Sequence, residues 1–161
     1  MMKPVPPFQL FLEEQRELVY RFLLARVGPD EVDDCFQETF MAALRAYDRL
    51  KDGDSLRAWA LKIAERKAID AHRAAARRPP AREELPEAPS PASTDHEPSL
   101  WRAVRGLPDK QRAAIVHRYV ADLPYVEIAR ITGTSEAAAR QNVRAGLGNL
   151  RKVWREEGVK R

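Results

Sequence analysis

The sequence has few of the residues that build disulfides, metal clusters and catalytic centres. Its 161 residues include a single cysteine, Cys35, which excludes an internal disulfide and a multi-cysteine metal site within one chain. Three histidines, His72, His96 and His117, lie far apart in sequence, and neither a phosphate-binding glycine loop nor a nucleophile motif is present. We therefore expect a protein that is not an enzyme and holds no cofactor or metal.

Long apolar runs are also missing. The amino terminus, MMKPVPPF, has prolines where a secretory signal needs an apolar core, and no segment is long enough to span a bilayer. These features predict a cytoplasmic protein without membrane insertion. Strand-forming residues are sparse, whereas Ala, Arg, Leu and Glu dominate, so an all-α fold is expected.

One segment divides the chain. Residues 79–99, PPAREELPEAPSPASTDHEPS, have almost no large apolar side chains and cannot bury enough surface to offset the entropy of ordering. We predict two small helical domains, residues 1–78 and 100–161, joined by this flexible acidic linker. The pattern of apolar residues and breakers predicts seven helices, at Phe8–Val27, Asp30–Leu50, Ser55–Arg78, Leu100–Arg105, Asp109–Val120, Tyr125–Thr132 and Glu136–Arg155.

The charges are segregated along the chain. Residues 55–82 hold 8 basic and 2 acidic side chains, residues 83–99 hold 5 acidic and no basic ones, and residues 100–161 hold 13 basic and 6 acidic ones. Two basic blocks separated by an acidic linker indicate two contacts with a polyanion, because clustered Lys and Arg displace counterions from phosphates. Solvated basic helix faces remain the alternative for either block.

Residues 125–144, YVEIARITGTSEAAARQNVR, resemble two short helices joined by a tight turn at Gly133. Ser135 is placed to cap the second helix. This layout is typical of a helix-turn-helix, whose second helix enters the major groove of DNA, although an ordinary helical hairpin has a similar pattern. On the last helix we expect a core face and an outward face; the core face holds Ala139, Val143, Leu147, Leu150 and Trp154, and the outward face holds Ala137, Arg140, Gln141, Arg144 and Arg151.

The two preceding long helices carry unusual faces. The helix over Asp30–Leu50 presents the apolar pair Met41 and Leu44 among polar residues on its outer face, either as scattered surface residues or as a docking stripe for a partner. Its opposite face is the expected core face, with Val32, Cys35, Phe36, Thr39, Phe40, Ala43, Ala46, Tyr47 and Leu50. The nearby pair Asp34 and Glu38 fits a solvated or a protein-docking role better than metal binding or catalysis. The helix over Ser55–Arg78 has a buried stripe of Leu56, Trp59, Ala60 and Ile63, beside which runs a row that suits a phosphate backbone: Lys62, Arg66, Arg73 and Arg77.

Three stretches of the sequence carry a family resemblance: DDCFQETFMAALRAYDRL at 33–50, LRAWALKIAERKAIDAHRAAARR at 56–78, and LPDKQRAAIVHRYVADLPYVEIARITGTSEAAARQNVRAGLGNLRK at 107–152. Together they resemble an extracytoplasmic-function (ECF) sigma factor of the sigma-70 family. The resemblance covers most of the chain outside the extreme amino terminus and the linker. It implies that the first domain is region 2 and the second is region 4 of the family.

The resemblance also implies partners and site residues. Core RNA polymerase would be bound through its clamp helices and flap, promoter DNA would be read at two elements, and an anti-sigma factor would act as inhibitor. The docking residues would be Asp34, Gln37, Glu38, Met41 and Leu44. The minus-ten element would be engaged by Lys51, Asp52, Gly53, Asp54, Ser55, Lys62, Arg66, Arg73 and Arg77, the loop capturing an unstacked base. The minus-thirty-five element would be read by Ser135, Ala137, Ala138, Arg140, Gln141 and Arg144.

The sequence departs from the family pattern at the start of its last helix. Ala137, Ala138 and Ala139 stand where Gly-Thr-Val is frequent, and Arg140, Gln141 and Asn142 where Lys-Ser-Arg is frequent, so the promoter sequence is not predicted. Two rival interpretations remain open. One is a helix-turn-helix regulator that never binds polymerase, and the other is a protein-interaction module that does not read DNA.

Overall fold

The computed structural model describes residues 2–77 and 99–159, which form seven α-helices and no strand. The helices are α1 Phe8–Val27, α2 Val32–Tyr47, α3 Leu56–Arg77, α4 Ser99–Arg105, α5 Asp109–Ile115, α6 Tyr125–Thr132 and α7 Glu136–Val159. The predicted all-α fold is confirmed. The predicted linker lies outside the described residues, except for Ser99, which begins α4.

Three helices differ from their predicted bounds by three residues or more, and one of them is α7, which ends at Val159 instead of Arg155. Helix α2 ends at Tyr47, because the Arg49 and Leu50 N–H groups bond carbonyls only three residues back, at 3.2 and 3.0 Å, and tighten the chain into a turn. The helix predicted over Asp109–Val120 instead changes at Val116 into one π-helical turn, Val116–Val120. There the Ala121 N–H bonds the Val116 carbonyl at 3.1 Å, five residues back.

Helices α1, α2 and α3 pack around an aromatic centre. The ring of Phe11 lies 5.4 Å from that of Tyr47, 5.6 Å from that of Trp59 and 6.1 Å from that of Phe40, all as tilted or edge contacts. The core face predicted for α2 is confirmed, with its buried members being Val32, Cys35, Thr39, Phe40, Ala43 and Tyr47. The same packing turns the opposite face of α2 to solvent.

The first half of the structure consists of α1, α2 and α3. The second half consists of α4, α5, the π-helical turn, α6 and α7. Gly146 lets α7 approach α5 closely, since a Cβ atom there would lie 2.8 Å from Cγ1 of Ile115. Ala139 and Val143 are buried as expected. The expectation that Trp154 faces the core is wrong: 63% of its surface is exposed, because the final turns of α7 extend beyond the helices that the structure describes on that side.

The two halves pack against each other. Helix α1 contacts α4 and the π-helical turn, and α3 contacts α6. One cluster of buried apolar side chains runs through both halves, including Phe22 and Leu61 on one side and Val116, Leu123 and Ile128 on the other. The described parts of the chain therefore share a continuous core, which decides how the functional surfaces face one another.

Candidate nucleic-acid interface

The outer face of α2 carries the five residues predicted to dock on a partner. Asp34, Gln37, Glu38, Met41 and Leu44 are all exposed, at one- to two-turn spacing along the helix. Met41 is 54% exposed and Leu44 55%, so this apolar pair lies bare among carboxylates and an amide. The structure brings the five together on one surface, directed away from the aromatic core.

The loop over residues 51–55 connects α2 to α3 and holds the first five of the predicted minus-ten residues. Its carboxylate at Asp52 accepts hydrogen bonds from two backbone N–H groups, that of Asp54 at 2.9 Å and that of Lys3 at 3.0 Å. Ser55 adopts a left-handed backbone conformation (φ 59°) and its carbonyl accepts the first α3 bond, from Trp59 at 3.0 Å. The shape of the loop is thus set by hydrogen bonds within the chain, before any ligand binds.

Helix α3 displays the predicted basic row. Lys62, Arg66, Arg73 and Arg77 are all exposed on one side of the helix and span about 22 Å at 1.5 Å per residue. The row begins at the loop, where Lys62 lines a cleft together with Asp54 and Ser55. Glu127 and Arg130 of α6 line the same cleft from the other half. The structure therefore sets part of this surface against α6.

The predicted helix-turn-helix is present in its expected form. Gly133 ends α6 in the left-handed conformation (φ 67°), and its N–H bonds the Ala129 carbonyl. The Ala138 N–H donates to Oγ of Ser135 at 3.0 Å, which is the predicted cap of α7. Six residues were expected to face DNA; Ala138 is half-buried, and Ser135, Ala137, Arg140, Gln141 and Arg144 are exposed.

A shallow basic groove lies beside the exposed side of α7. The guanidinium of Arg140 is held by Glu136 at 2.6 Å and lies 5.0 Å from the ring centre of Tyr125. Arg144 and Arg151 continue the groove along the helix. Three arginines, one fixed over an aromatic ring, give this side of α7 the positive, hydrogen-bonding surface that a nucleic acid requires.

A buried polar network, missed in the sequence, joins the two halves. Arg26 of α1, Glu65 of α3 and His117 of the π-helical turn are 0%, 2% and 0% exposed. Arg26 donates to both carboxylate oxygens of Glu65, at 3.0 and 2.7 Å, and Nε2 of His117 lies 3.1 Å from Oε2 of Glu65. Nη1 of Arg26 also donates to Asp109 of α5 at 3.1 Å and lies 3.3 Å from Nε2 of His72.

The network changes the acidity of its members. Burial by itself raises the pKa of Glu65, but hydrogen bonds from His117 and Arg26 and the charge of Arg26 outweigh it and lower the pKa to about 2. Burial beside the charges of Arg112 and Arg26 lowers the pKa of His72. Glu65 therefore stays ionised at neutral pH and holds partners from both halves.

One signal in the sequence points to this network. Arg26 follows Val19 and Phe22 at helical spacing, and Glu65 follows Leu61 and adjoins Ala64. Each charged residue therefore lies on the buried apolar face of its helix. A charge at such a position requires a buried partner. The pairing itself was not visible, because Arg26 and His117 are separated by most of the chain. His72 and His117 are far apart in sequence, yet both contact the network: His117 contacts Glu65, and His72 contacts Arg26.

The described residues contain no group of His, Cys, Asp or Glu side chains arranged to hold a metal ion. Among the same residues, no helix is both long and apolar enough to cross a bilayer.

Comparison with known proteins assigns both halves. Residues 11–78 match the family described as Sigma-70 region 2, and residues 98–150 match the family described as Sigma-70, region 4. The chain is 34% identical over 155 residues to the ECF RNA polymerase sigma factor SigD of Mycobacterium tuberculosis, with 87% of this chain and 73% of that protein covered. It is 31% identical over 130 residues to the sigma factor CarQ of Myxococcus xanthus, covering 77% and 75%.

Solved structures agree with the fold. The sigma factor RpoE of Bartonella quintana, crystallised with the anti-sigma factor NepR, superposes with a TM-score of 0.76 at 20% identity, over 92% of this chain and 96% of that one. CnrH, in complex with the cytosolic domain of CnrY, gives 0.70 at 23% identity, over 92% and 88%. The two halves define a sigma-70-type factor. Within that class, the chain belongs to the ECF RNA polymerase sigma factors.

Proposed function

We propose that this chain is a transcription initiation factor that binds core RNA polymerase and directs it to a restricted set of promoters. The observation that carries the proposal is the bare apolar pair of Met41 and Leu44 on a polar face of α2, in a chain of the ECF sigma factor family. A regulator that bound only DNA would have no use for this face. The chain acts by binding and positioning, without covalent chemistry, in the cytoplasm.

The outer face of α2 is the polymerase docking surface. Met41 and Leu44 provide the apolar centre, and Asp34, Gln37 and Glu38 provide a polar rim, which is the usual anatomy of a protein interface. In this proposal the surface binds the clamp helices of the largest polymerase subunit, and the second half of the chain contacts the flap of the second-largest subunit.

The 51–55 loop and the basic row of α3 engage and open the minus-ten element. An unstacked base of the non-template strand enters beside the loop, while the row from Lys62 to Arg77 follows the phosphates of the strand. The exposed side of α7, with Arg140, Gln141 and Arg144, reads the minus-thirty-five element in the major groove.

The packing of the halves has a consequence for this function. Glu127 and Arg130 of α6 face the loop and Lys62 across one cleft, where the minus-ten strand would have to lie. In this proposal the halves separate when the chain engages polymerase and promoter. The Bartonella quintana relative was crystallised with an anti-sigma factor. We propose that a dedicated anti-sigma factor also binds this chain.

The docking surface is tested with a paired substitution, Gln37→Ala with Leu44→Ala. Removing the apolar anchor and its polar neighbour should weaken binding to core polymerase at least about tenfold, because anchors of this kind carry most of an interface's energy. The measurement is co-purification and affinity for core polymerase. The matched control, Gln9→Ala with Leu10→Ala on the exposed side of α1, should leave binding unchanged. Equal binding by both double variants contradicts the docking assignment.

Reconstituted transcription tests the function as a whole. Core polymerase with this chain is used on genomic fragments, and the start sites are mapped. We expect a small set of starts, each preceded by shared minus-ten and minus-thirty-five sequences. Random starts, or specific DNA binding without any polymerase-dependent transcript, would favour the stand-alone regulator.

A further inference from the structure

The amino-terminal arm, residues 2–7, lies against the loop proposed to receive the minus-ten base. Both backbone polar groups of Lys3 are used there. Its N–H donates to Oδ1 of Asp52 at 3.0 Å, and its carbonyl accepts from the Gly53 N–H at 2.8 Å. The Lys3 ammonium also lies 3.4 Å from Oδ1 of Asp54, but both side chains are largely exposed, so this ion pair adds little.

The arm passes directly over Gly53. A Cβ atom at this position would lie 2.2 Å from the carbonyl oxygen of Pro4, 2.9 Å from its carbonyl carbon and 3.2 Å from Cα of Val5. All three are backbone atoms that cannot rotate away. Gly53 is therefore required for the close approach of two backbones.

The far end of the arm is anchored in the core. The hydroxyl of the buried Tyr47 donates a hydrogen bond to the Pro6 carbonyl. The Tyr47 ring packs edge-on against that of Phe8, with 5.1 Å between the ring centres. Val5 packs against the same core. Pro4, Pro6 and Pro7 restrict the backbone angles of the arm, which lowers the entropy lost when it is ordered. The arm is thus held at both ends, by the loop and by α2.

We infer that the arm is a brace that holds the 51–55 loop in its base-receiving shape, an inference that rests on the proposed function of the loop. It divides the predicted loop residues into two groups. Asp52 and Gly53, both half-buried, are positioning residues that bind the arm. Lys51, Asp54 and Ser55, all exposed, remain to contact nucleic acid.

A double-mutant cycle in the polymerase holoenzyme tests the brace. Gly53→Ala is made in the full chain and in a chain lacking residues 2–5, and promoter opening is followed with a fluorescent base analogue in the minus-ten element. Gly53→Ala should reduce opening roughly tenfold in the full chain, as expected when one or two ordering hydrogen bonds are lost. In the shortened chain, which already opens poorly, it should have no further effect, because the three atoms nearest to the new methyl group belong to the removed residues.

Two results would overturn the inference. If Gly53→Ala has the same cost in both chains, the glycine acts on DNA and not on the arm. If the shortened chain opens promoters as well as the full chain, the loop needs no brace. Core affinity and binding to minus-thirty-five duplex are measured alongside. A general folding defect lowers all three readouts, whereas loss of the brace lowers opening alone.

Two variants at Lys3 separate the contribution of its backbone N–H from that of its side chain. Lys3→Ala keeps the N–H that bonds Asp52 and removes only the exposed ion pair, so opening should be unchanged. Lys3→Pro removes that N–H, so opening should fall several-fold; equal activity of the two variants counts against the brace.

Lys62→Ala with Arg66→Ala reports on the proposed function itself. If this pair leaves opening unchanged, the minus-ten surface is misassigned, whatever the arm variants do.

Discussion

The two surfaces proposed to read DNA differ in how much of each the rest of the chain covers. The 51–55 loop is bound by the amino-terminal arm on one side and faced by α6 across a cleft. The outward side of α7 around Gln141 and Arg144 is exposed. The same packing of halves that covers the first surface leaves the second free. In the proposed function, the minus-thirty-five surface is therefore available at once, whereas use of the minus-ten surface requires the halves to separate.

The largest expected effect comes from removing the centre of the buried network. Glu65→Ala leaves Arg26 and His117 buried without their shared carboxylate, which should lower the free energy of unfolding by about 3–5 kcal/mol. Chemical denaturation measures the change. As a control, Glu17→Ala breaks an exposed ion pair with Arg21 at 2.7 Å and should have an effect of at most about 0.5 kcal/mol. A loss below about 1 kcal/mol for Glu65→Ala would show that the network is not what holds the halves.

Acid should weaken the same network. The pKa of Glu65 is lowered from 4.5 to about 2 in the folded chain, so the stabilisation is fully present above about pH 4.5 and is lost as pH falls towards 2. The loss should be on the order of 3 kcal/mol, at 1.36 kcal/mol for each pKa unit. Unfolding curves over pH 2–6 measure it. In Glu65→Gln, which cannot titrate, this part of the pH dependence should be absent; an unchanged profile would assign it to other carboxylates.

The outward side of α7, which is proposed to read the minus-thirty-five element, is tested with one substitution. Arg144→Ala should weaken binding to minus-thirty-five duplex by about 1–3 kcal/mol, since it removes a base or phosphate contact. Fluorescence anisotropy with promoter duplexes gives the affinities. Arg155→Ala, exposed nearer the end of the same helix, removes an equal charge and should change affinity much less. Equal losses for both would reduce the role of α7 to general electrostatic attraction.

The smallest effect is expected from loosening the contact between the halves. The guanidinium of Arg57 on α3 donates to the Ala121 carbonyl, and the Asp109 carboxylate accepts from Arg26, so each bond crosses from one half to the other. Arg57→Ala with Asp109→Ala should raise affinity for single-stranded minus-ten DNA about fivefold to thirtyfold, because two lost bonds of about 0.5–1 kcal/mol each shift the equilibrium by about 1–2 kcal/mol. Binding to minus-thirty-five duplex should stay constant. A fall in minus-ten affinity would mean that the cleft is not a barrier.

Local patterns predicted much of the molecule. The core face of α2, the Ser135 cap and the turn at Gly133 all appear where the sequence placed them, since each depends on residues within a few positions of one another. Trp154 was misplaced, because helical spacing says which residues share a face but not where the neighbouring helix ends. The π-helical turn at Val116–Val120 left no signal in spacing, since it is a local widening that puts His117 beside Glu65.

By itself, the sequence determined the helical class and the family, because these depend on composition, periodicity and local motifs. The residues that contact polymerase and DNA stay a prediction. Only the tertiary structure decided that Arg26, Glu65 and His117 meet in the core, that the arm crosses Gly53, and that α6 faces the 51–55 loop. Each of these joins residues distant along the chain. Such contacts form only when whole helices pack, and their energies depend on burial and distances that no single segment encodes.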